Sequence, residues 1–250
     1  MAINIKTTEE IALMRQAGRI VASALALLKT RIKPGVTTGE LDAIAYEYCI
    51  KASATPSFKG YNGFPASLCA SINDEVVHGI PSGKRKLREG DIISLDFGVI
   101  YQGLQGDAAI TVGVGRISDL AARLIKTTEE ALYKGIAQAR SGRRLGDISW
   151  AIQSYAEAQG FSVVRQYVGH GIGRSMHEEP QIPNFGPPGR GPVLQPGMVL
   201  ALEPMINVGT FRTRVKEDRW TVVTEDGSLS AHFEHTVAVT NGEPEILTRE

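Results

Sequence analysis

Two amphipathic segments open the chain, and both are predicted to be helices. Thr7, with a glutamate three residues later, forms a capping-box signature in front of a run that reaches about Thr30. Pro34 interrupts the pattern, and Thr37, again followed by a glutamate three residues on, begins a second run to about Ala52. The start of the chain therefore predicts two capped helices joined by a short turn.

The rest of the chain repeats this order of elements. Residues 53–90 are rich in Gly, Pro, Ser and Asn around short apolar segments, a pattern typical of strands separated by loops. After a predicted hairpin come two further helices, at about 118–140 and 145–159, and from 162 onward strands and Gly/Pro turns return. The order is thus helix-helix-strands, twice over.

A faint internal repeat supports a duplication. The motif Gly-x-x-x-Gly-acid-aliphatic occurs at 35–41 and again at 142–148, each time at the start of a predicted helix. The predicted fold class is therefore α+β, with the helices of two related halves covering one face of an antiparallel sheet. No linker or low-complexity tract divides the sequence, so residues 1–250 are expected to form a single domain.

Composition narrows the classes of function. Lys plus Arg and Asp plus Glu both number 27, so there is no net charge to favour nucleic acid or a membrane surface. Cys49 and Cys69 are too few for a disulfide framework, which indicates a reducing compartment. The start lacks signal-peptide character, and the apolar stretch Ile20–Leu28 is too short to span a bilayer. We expect a cytoplasmic protein.

Two aspartates in the predicted hairpin are the first chemical candidates. If Gln102-Gly103 is the two-residue loop, Asp96 faces Ala109, and Asp107 lies two residues away on the same face. Such diagonal neighbours are about 7–8 Å apart by backbone, so both carboxylates can reach one site. In apolar surroundings two like charges either take up protons or bind cations. A pair of exposed strand acids remains the alternative on these residues alone.

Further candidates lie in the second half of the chain. His170 and His177 stand in the glycine-rich segment GHGIGRSMHEEP, whose glycines do not follow the dinucleotide-binding pattern. Glu203 and Glu234 lie inside strongly apolar, strand-like runs, and neither run contains a cationic partner. A buried, unpaired acid is costly, which favours a role as a metal ligand.

Together these residues offer four carboxylates and one imidazole, enough to balance the charge of two divalent cations. Oxygen-rich ligation with one histidine suits Mn, Fe, Co or Zn, and two such ions can support a hydrolytic reaction. The candidate ligands are Asp96, Asp107, His170, Glu203 and Glu234.

The segments around these residues resemble the signature of the type I methionine aminopeptidases. They read DFGVIYQGLQGD, VGHGIGRSMHEEPQIPN, PGMVLALEPMIN and DGSLSAHFEHTVAVT, and SFKGYNGFPASLCASINDEVVHGIP resembles the substrate-pocket segment of that family. The resemblance covers nearly the whole chain. It implies the pita-bread fold, in which the helices of two pseudo-symmetric halves cover a curved antiparallel sheet.

The resemblance also implies a role for each ligand. Asp96 would chelate one metal ion, His170 and Glu203 would hold the other, and Asp107 and Glu234 would bridge both. The two divalent ions per chain would be Co, Mn, Fe(II), Zn or Ni. A hydroxide bridging them would attack the first peptide bond of the substrate, with Glu203 as the proton carrier.

Two histidines and an apolar pocket complete the implied site. His78 would contact the scissile amide, and His177 would stabilise the developing oxyanion. The pocket for the methionine side chain would be lined by Phe58, Tyr61, Phe64, Cys69, Met176 and Trp220. Core packing is the alternative role for each of these apolar residues.

The implied substrates are the N-termini of nascent polypeptides whose second residue is small and uncharged. The chain's own start, Met1-Ala2, fits that rule. A monomer with a transient ribosome association is the expected context, without sequence-specific nucleic-acid binding and without a membrane.

Four positions depart from the pattern of the family. Gln105 stands where histidine is usual, Ala108 where Ser or Thr is common, Phe64 in place of Tyr and Met176 in place of Phe. These departures concern pocket shape and the surroundings of the ligands, and leave the ligands themselves unchanged.

Other interpretations of the same sequence stay open. Xaa-Pro aminopeptidases and dipeptidases share the fold and nearly the same ligands, but usually carry an additional N-terminal domain. Type II methionine aminopeptidases carry a helical insertion, for which the 31 positions between Glu203 and Glu234 leave little space. A metal-free binding module is the alternative from a different class. Turnover of Met-Ala-Ser against Ala-Pro peptides, with metal analysis, separates these interpretations.

Overall fold

The four predicted helices are present in the computed structural model, which describes residues 3–250. The expectation about Met1-Ala2 lies outside the described residues. Thr7 and Thr37 both form capping boxes, as predicted. The helices are α1 Thr8–Arg31, α2 Thr38–Lys51, α3 Asp119–Ile136 and α4 Leu145–Ala158, with a short 3-10 helix at Tyr61–Gly63.

Helix α3 ends earlier than predicted, at Ile136 instead of about position 140. After Ile136 the backbone switches to tighter bonds, in which Gln138 donates to Gly135 and Ala139 donates to Ile136. These i to i−3 bonds close the last turn, and Ala139 is turned into the core.

The described residues contain fifteen strands, several of them very short. They are β1 Thr55–Pro56, β2 Cys69–Ile72, β3 Glu75–Val77, β4 Ile92–Tyr101, β5 Leu104–Gly113, β6 Ser162–Val163, β7 Gly169–Gly171, β8 Glu178–Ile182, β9 Val199–Leu202, β10 Met205–Asn207, β11 Thr213–Val215, β12 Val222–Thr224, β13 Ser230–His232, β14 Glu234–Ala238 and β15 Glu245–Ile246.

Nine of these strands form one antiparallel sheet. Its order is β1-β4-β5-β14-β9-β7-β8, with β2 also paired to β4 and β15 to β14. Two small three-stranded sheets, β13-β10-β6 and β11-β12-β3, complete the strand layer. The two halves of the chain therefore meet where β5 pairs with β14, at the middle of the main sheet.

The duplication suggested by the sequence is visible in the backbone. The Gly35 N–H donates to the carbonyl of Leu87 at 2.8 Å, and the Gly142 N–H donates to the carbonyl of Leu194 at 3.0 Å. The two glycines begin the two copies of the repeated motif, and Leu194 follows Leu87 at the same offset as Gly142 follows Gly35. The predicted α+β fold class, with two related halves, is thus confirmed.

The helices cover one face of the main sheet and enclose two large apolar clusters. One cluster joins α1 and α2 to β4, with residues such as Val21, Leu41 and Phe97. The other joins α3 and α4 to the second half of the sheet, around Leu132 and Ile152. This packing fixes the central strands, which leaves the residues on their opposite face free to form a site.

Helix α1 as a whole is long and apolar enough to cross a membrane, although its stretch Ile20–Leu28 alone is too short. In the fold Ala17, Val21 and Leu28 are fully buried in the protein core. The apolar face of α1 is therefore accounted for by packing on the sheet.

The contact between α1 and β5 gives a test of this packing. A Cβ atom at Gly106 would lie 2.7 Å from the Gly18 nitrogen and 2.8 Å from the Ala17 carbonyl carbon, both in the α1 backbone. We expect Gly106→Ala to lower the unfolding free energy of the metal-free protein by about 1–3 kcal/mol, measured by urea denaturation. Gly83→Ala, which meets nothing within 4 Å, is the matched control. Equal midpoints for the two variants would contradict the close approach of α1.

Candidate active site

The hairpin places two aspartates side by side, in the predicted register. Asp96 pairs with Ala109, and Asp107 lies two residues away on the neighbouring strand. The Asp107 N–H donates to the Thr236 hydroxyl at 3.0 Å, and that hydroxyl donates to the Asp107 carbonyl at 2.8 Å. Because Thr236 lies two residues after Glu234, this pair of bonds sets the position of the third acid relative to the first two.

His170 and Glu203 face these acids from β7 and from the end of β9. The His170 Nδ1 lies 2.9 Å from the Gly171 carbonyl, and its Nε2 lies 3.4 Å from Glu203 Oε1. A carbonyl oxygen can only accept, so Nδ1 carries the proton and donates. The Nε2 atom is then left as an unprotonated donor of electrons, the form of imidazole that binds metals.

The surroundings of the four acids disfavour their ionised form. Burial raises the pKa of Asp107 to about 7. Burial first, and then the neighbouring carboxylates, raise the pKa of Asp96 and Glu234 well above their usual values, and the pKa of Glu203 shifts in the same direction. Burial lowers the pKa of His170 to about 4, so the imidazole is neutral at physiological pH.

Buried oxygen atoms in this group test whether a cation fits. Within residues 3–250, Asp96 Oδ1, Asp107 Oδ1 and Glu234 Oε1 are buried without a hydrogen-bond partner. One ligand atom from each of Asp107, His170 and Glu234 lies within 4.8 Å of the others. Among the described residues no Lys or Arg forms an ion pair with these acids. Unpaired acceptors that converge in this way are suited to hard or intermediate divalent cations.

The acids and His170 form the floor of a small cavity of about 200 Å³. All the site residues named from the sequence line this one cavity. They are the five candidate ligands together with His78, His177, Phe58, Tyr61, Phe64, Cys69, Met176 and Trp220.

The walls of the cavity are apolar and closely packed. Phe64 and Trp220 meet edge to face with ring centroids 5.1 Å apart, and Met176 is buried beside Phe58. Burial and the nearby acids raise the pKa of the Cys69 thiol well above its usual value, so this wall carries no charge. The cavity therefore combines an apolar chamber with a polar floor.

The two remaining histidines border the cavity from different loops. His78 follows β3 with a φ of 59°, a strained value for a non-glycine residue, and contacts Tyr167 and Trp220 edge to face. His177 lies against the His170 ring, with centroids 4.4 Å apart, and its Nδ1 is 2.7 Å from the Tyr61 hydroxyl. Burial lowers the pKa of His78 to about 4 and also lowers the pKa of His177.

The structure shows what surrounds the residues that depart from the family pattern. The Gln105 side chain accepts a hydrogen bond from the Ser57 hydroxyl at 2.6 Å and so braces the wall next to Phe58. Ala108 is buried in the cluster beneath α1 and takes no part in the cavity. The other two departures, Phe64 and Met176, line the wall of the cavity, so the four departures leave the candidate ligands unchanged.

Two residues near the site were not singled out in the sequence. Asn62 lines the cavity from the 3-10 helix. His232 is 1% exposed, its Nε2 lies 3.9 Å from Glu203 Oε2, and neither ring nitrogen has a hydrogen-bond partner within residues 3–250. The only signal for His232 was its place two residues before Glu234, and the two residues lie on different strands, β13 and β14.

A cavity lined by four buried acids, a neutral imidazole and apolar side chains is an arrangement typical of metal-dependent hydrolases. Comparison with known proteins agrees: the profile of metallopeptidase family M24 matches residues 12–241. A methionine aminopeptidase from Clostridium acetobutylicum is 58% identical over 246 residues, which are 98% of each chain. A methionine aminopeptidase structure from Thermotoga maritima has a TM-score of 0.98 at 49% identity, with 100% of each chain covered.

The same fold is also found in proteins of lower sequence identity. An Xaa-Pro dipeptidase from Bacillus anthracis has a TM-score of 0.79 at 24% identity, and the match covers 98% of this chain and 62% of that one.

The chain belongs to metallopeptidase family M24, and within it to the methionine aminopeptidases. It is therefore an enzyme that uses divalent metal.

Proposed function

We propose that this enzyme removes methionine from polypeptide N-termini whose second residue is small and uncharged. The observation that carries the proposal is that the buried acids and the apolar side chains line one and the same cavity of about 200 Å³. A chamber of this kind accepts one apolar side chain and holds the adjoining peptide bond against the floor.

The five candidate ligands would hold two divalent ions, drawn from Co, Mn, Fe(II), Zn or Ni. Four carboxylates balance the charge of two such ions, and the oxygens of Asp96, Asp107 and Glu234 that lack hydrogen-bond partners are available to bind them. Asp107 and Glu234 would bind both ions, Asp96 one, and His170 with Glu203 the other. When bound, the ions supply Lewis-acid activation of water and of the peptide carbonyl.

Glu203 would move the proton during hydrolysis. Burial and the charge of Asp107 raise the pKa of its carboxyl well above the usual value, so a proton on this group is favoured in the metal-free site. Its oxygens lie 3.4 Å from the His170 Nε2 and 3.9 Å from the His232 Nε2. Glu203 therefore lies between two imidazoles.

His177 would donate a hydrogen bond to the carbonyl oxygen as negative charge develops. A neutral imidazole has one donor nitrogen, so the tautomer decides whether it can do this. If the Tyr61 hydroxyl donates to Nδ1 across the observed 2.7 Å, the proton of His177 must lie on Nε2. Tyr61 would then keep His177 in the donating form, while His78 would hold the amide on the other side.

A panel of Met-X-Ser peptides tests the proposed specificity. We expect turnover when X is Gly, Ala or Ser and loss of turnover when X is Leu, Lys or Glu, because the histidines and the floor leave little room beyond the bond. Norleucine should remain a usable substitute for methionine, since one methylene in an apolar pocket changes binding by only about 1–3 kcal/mol. Equal rates for Ala and Leu at X would contradict this account, and rapid cleavage of Ala-Pro peptides would favour the Xaa-Pro activity.

The cellular context follows from the same proposal. We propose a cytoplasmic enzyme, since Cys49 and Cys69 are both free and buried. We propose that residues 1–250 act as one catalytic domain and as a monomer, because both halves of a single chain contribute the candidate ligands. Nascent N-termini emerge at the ribosome, so a transient association there would supply the substrate.

A further inference from the structure

A second cavity borders the catalytic chamber, and His170 and His177 line both. It has a volume of about 420 Å³. Its other walls include Asn4, Ser175, Glu179 and Gln181. A peptide whose first bond is held beside His177 has this adjoining space in which to place the residues that follow.

One wall of this second cavity is fixed by an internal ion pair. Lys6 Nζ lies 2.7 Å from Glu178 Oε2, with only 5% and 8% of the two side chains exposed. The Asn4 amide donates to the same carboxylate at 3.0 Å, and the Lys6 N–H donates to the Gly197 carbonyl at 2.8 Å. The segment that carries Asn4 is therefore held in place before any peptide arrives, which lowers the entropic cost of binding.

The charge of the cavity is set by Glu179. Within residues 3–250 the half-buried Glu179 side chain forms neither an ion pair nor a hydrogen bond. The nearby cations are engaged elsewhere, Lys6 with Glu178 and Arg174 with Glu10 at 2.9 Å. One carboxylate is thus left uncompensated beside a preformed wall.

We infer that this second cavity is the subsite for the third and following residues of the substrate, and that Glu179 makes it favour Lys or Arg there over Asp or Glu. The inference rests on the proposed function, because it requires a peptide in the chamber. An extended peptide advances about 3.3 Å per residue, and a lysine side chain spans a further few ångströms, so the third residue can reach across the cavity. Complementary charge at a partly solvated site gives a modest, salt-sensitive preference.

The test compares kcat/KM for Met-Ala-X-Ser peptides in which X is Lys, Ser or Glu. In the wild type we expect Lys to exceed Glu by about three- to tenfold, with a smaller ratio at high ionic strength. Glu179→Gln should bring this ratio close to one, and so should Gln181→Lys, because its added positive charge offsets the charge of Glu179 in the same cavity. Glu157→Gln, which removes an exposed acid on α4, is the matched control and should keep the wild-type ratio.

The results separate this inference from the proposed function. Turnover of the Ser peptide without any preference between Lys and Glu would overturn the subsite alone. A preference that survives unchanged in both Glu179→Gln and Gln181→Lys would overturn the role of Glu179. Failure of the wild type to cleave any of the three peptides would overturn the proposed function and the subsite with it.

Discussion

Replacing Asp107 by asparagine is expected to lower the turnover of Met-Ala-Ser by about a thousandfold or more and to reduce the bound metal. Asp107 is the proposed ligand of both ions, and metal ions contribute several kcal/mol to stabilising the transition state of such hydrolyses. The measurement is steady-state turnover together with elemental analysis after reconstitution with Mn. Wild-type activity should be lost on chelation and return with Mn, Fe(II) or Co.

The same substitution should raise the unfolding free energy of the metal-free protein. At pH 8 a buried Asp107 carboxylate is charged, and burial has raised its pKa to about 7. Because the folded pKa lies above the unfolded value, this group destabilises the fold increasingly as the pH rises from about 4 through 7. We expect metal-free Asp107→Asn to be more stable than metal-free wild type at pH 8, by about 1–3 kcal/mol, and the gain to shrink at pH 5.

The bonds between Thr236 and Asp107 use the aspartate backbone, so the substitution leaves them in place. Asp119→Asn, which changes an exposed acid at the start of α3, is the control and should alter neither metal content nor turnover. Wild-type metal content in Asp107→Asn with full activity would contradict its role as a ligand. Lower stability of the metal-free variant at pH 8 would contradict the charge argument.

The hairpin shows why part of the site could be predicted from the sequence. Gln102 and Gly103 adopt positive φ values of 49° and 80°, as a tight two-residue loop requires. Such a loop fixes the register of both strands, and the register in turn fixes which side of the sheet Asp96 and Asp107 face. The residues of the turn therefore determine the relative position of two candidate ligands, which lie on the two strands of one hairpin.

The contacts that support the site could not be predicted in this way. Thr236 bonds to Asp107 across 129 residues, and Ser57 bonds to Gln105 across 48. Neither contact carries a local signal. The first forms only when the two halves pair along β5 and β14, and the second only when β1, β4 and β5 assemble side by side in the first half. His232 is a similar case, since its burial beside Glu203 depends on the packing of separate sheets.

The duplication explains why the site lies where it does. Glu203 follows Asp96 at the same offset that relates the Gly142 turn to the Gly35 turn, and the two acids lie on or just after the corresponding strands β4 and β9. A pseudo-symmetric pair of strands brings one acid from each half toward the middle of the sheet. Only the main sheet as a whole, closed by the pairing of β5 with β14, can therefore gather the complete set of candidate ligands.

Replacing His177 by alanine is expected to lower kcat by about a hundred- to a thousandfold while the metal content stays at the wild-type level. The proposed hydrogen bond to the developing oxyanion is made only in the transition state, and removal of one such donor costs this much in comparable enzymes. Tyr61→Phe should cost less, about tenfold, because the His177 ring remains but its Nδ1 loses the partner at 2.7 Å that selects the donating tautomer. Turnover of Met-Ala-Ser and elemental analysis give both quantities.

The double variant distinguishes tautomer control from simple packing. If Tyr61 acts through His177, Tyr61→Phe should have little further effect once His177 is alanine, so the two losses should not add. Tyr133 and His235 form a similar pair, with a hydroxyl-to-Nε2 distance of 3.4 Å, outside the catalytic chamber, and Tyr133→Phe is the matched control with wild-type turnover. Fully additive losses at Tyr61 and His177 would show that Tyr61 acts independently, as a wall of the chamber. Loss of metal in His177→Ala would instead place His177 among the ligands.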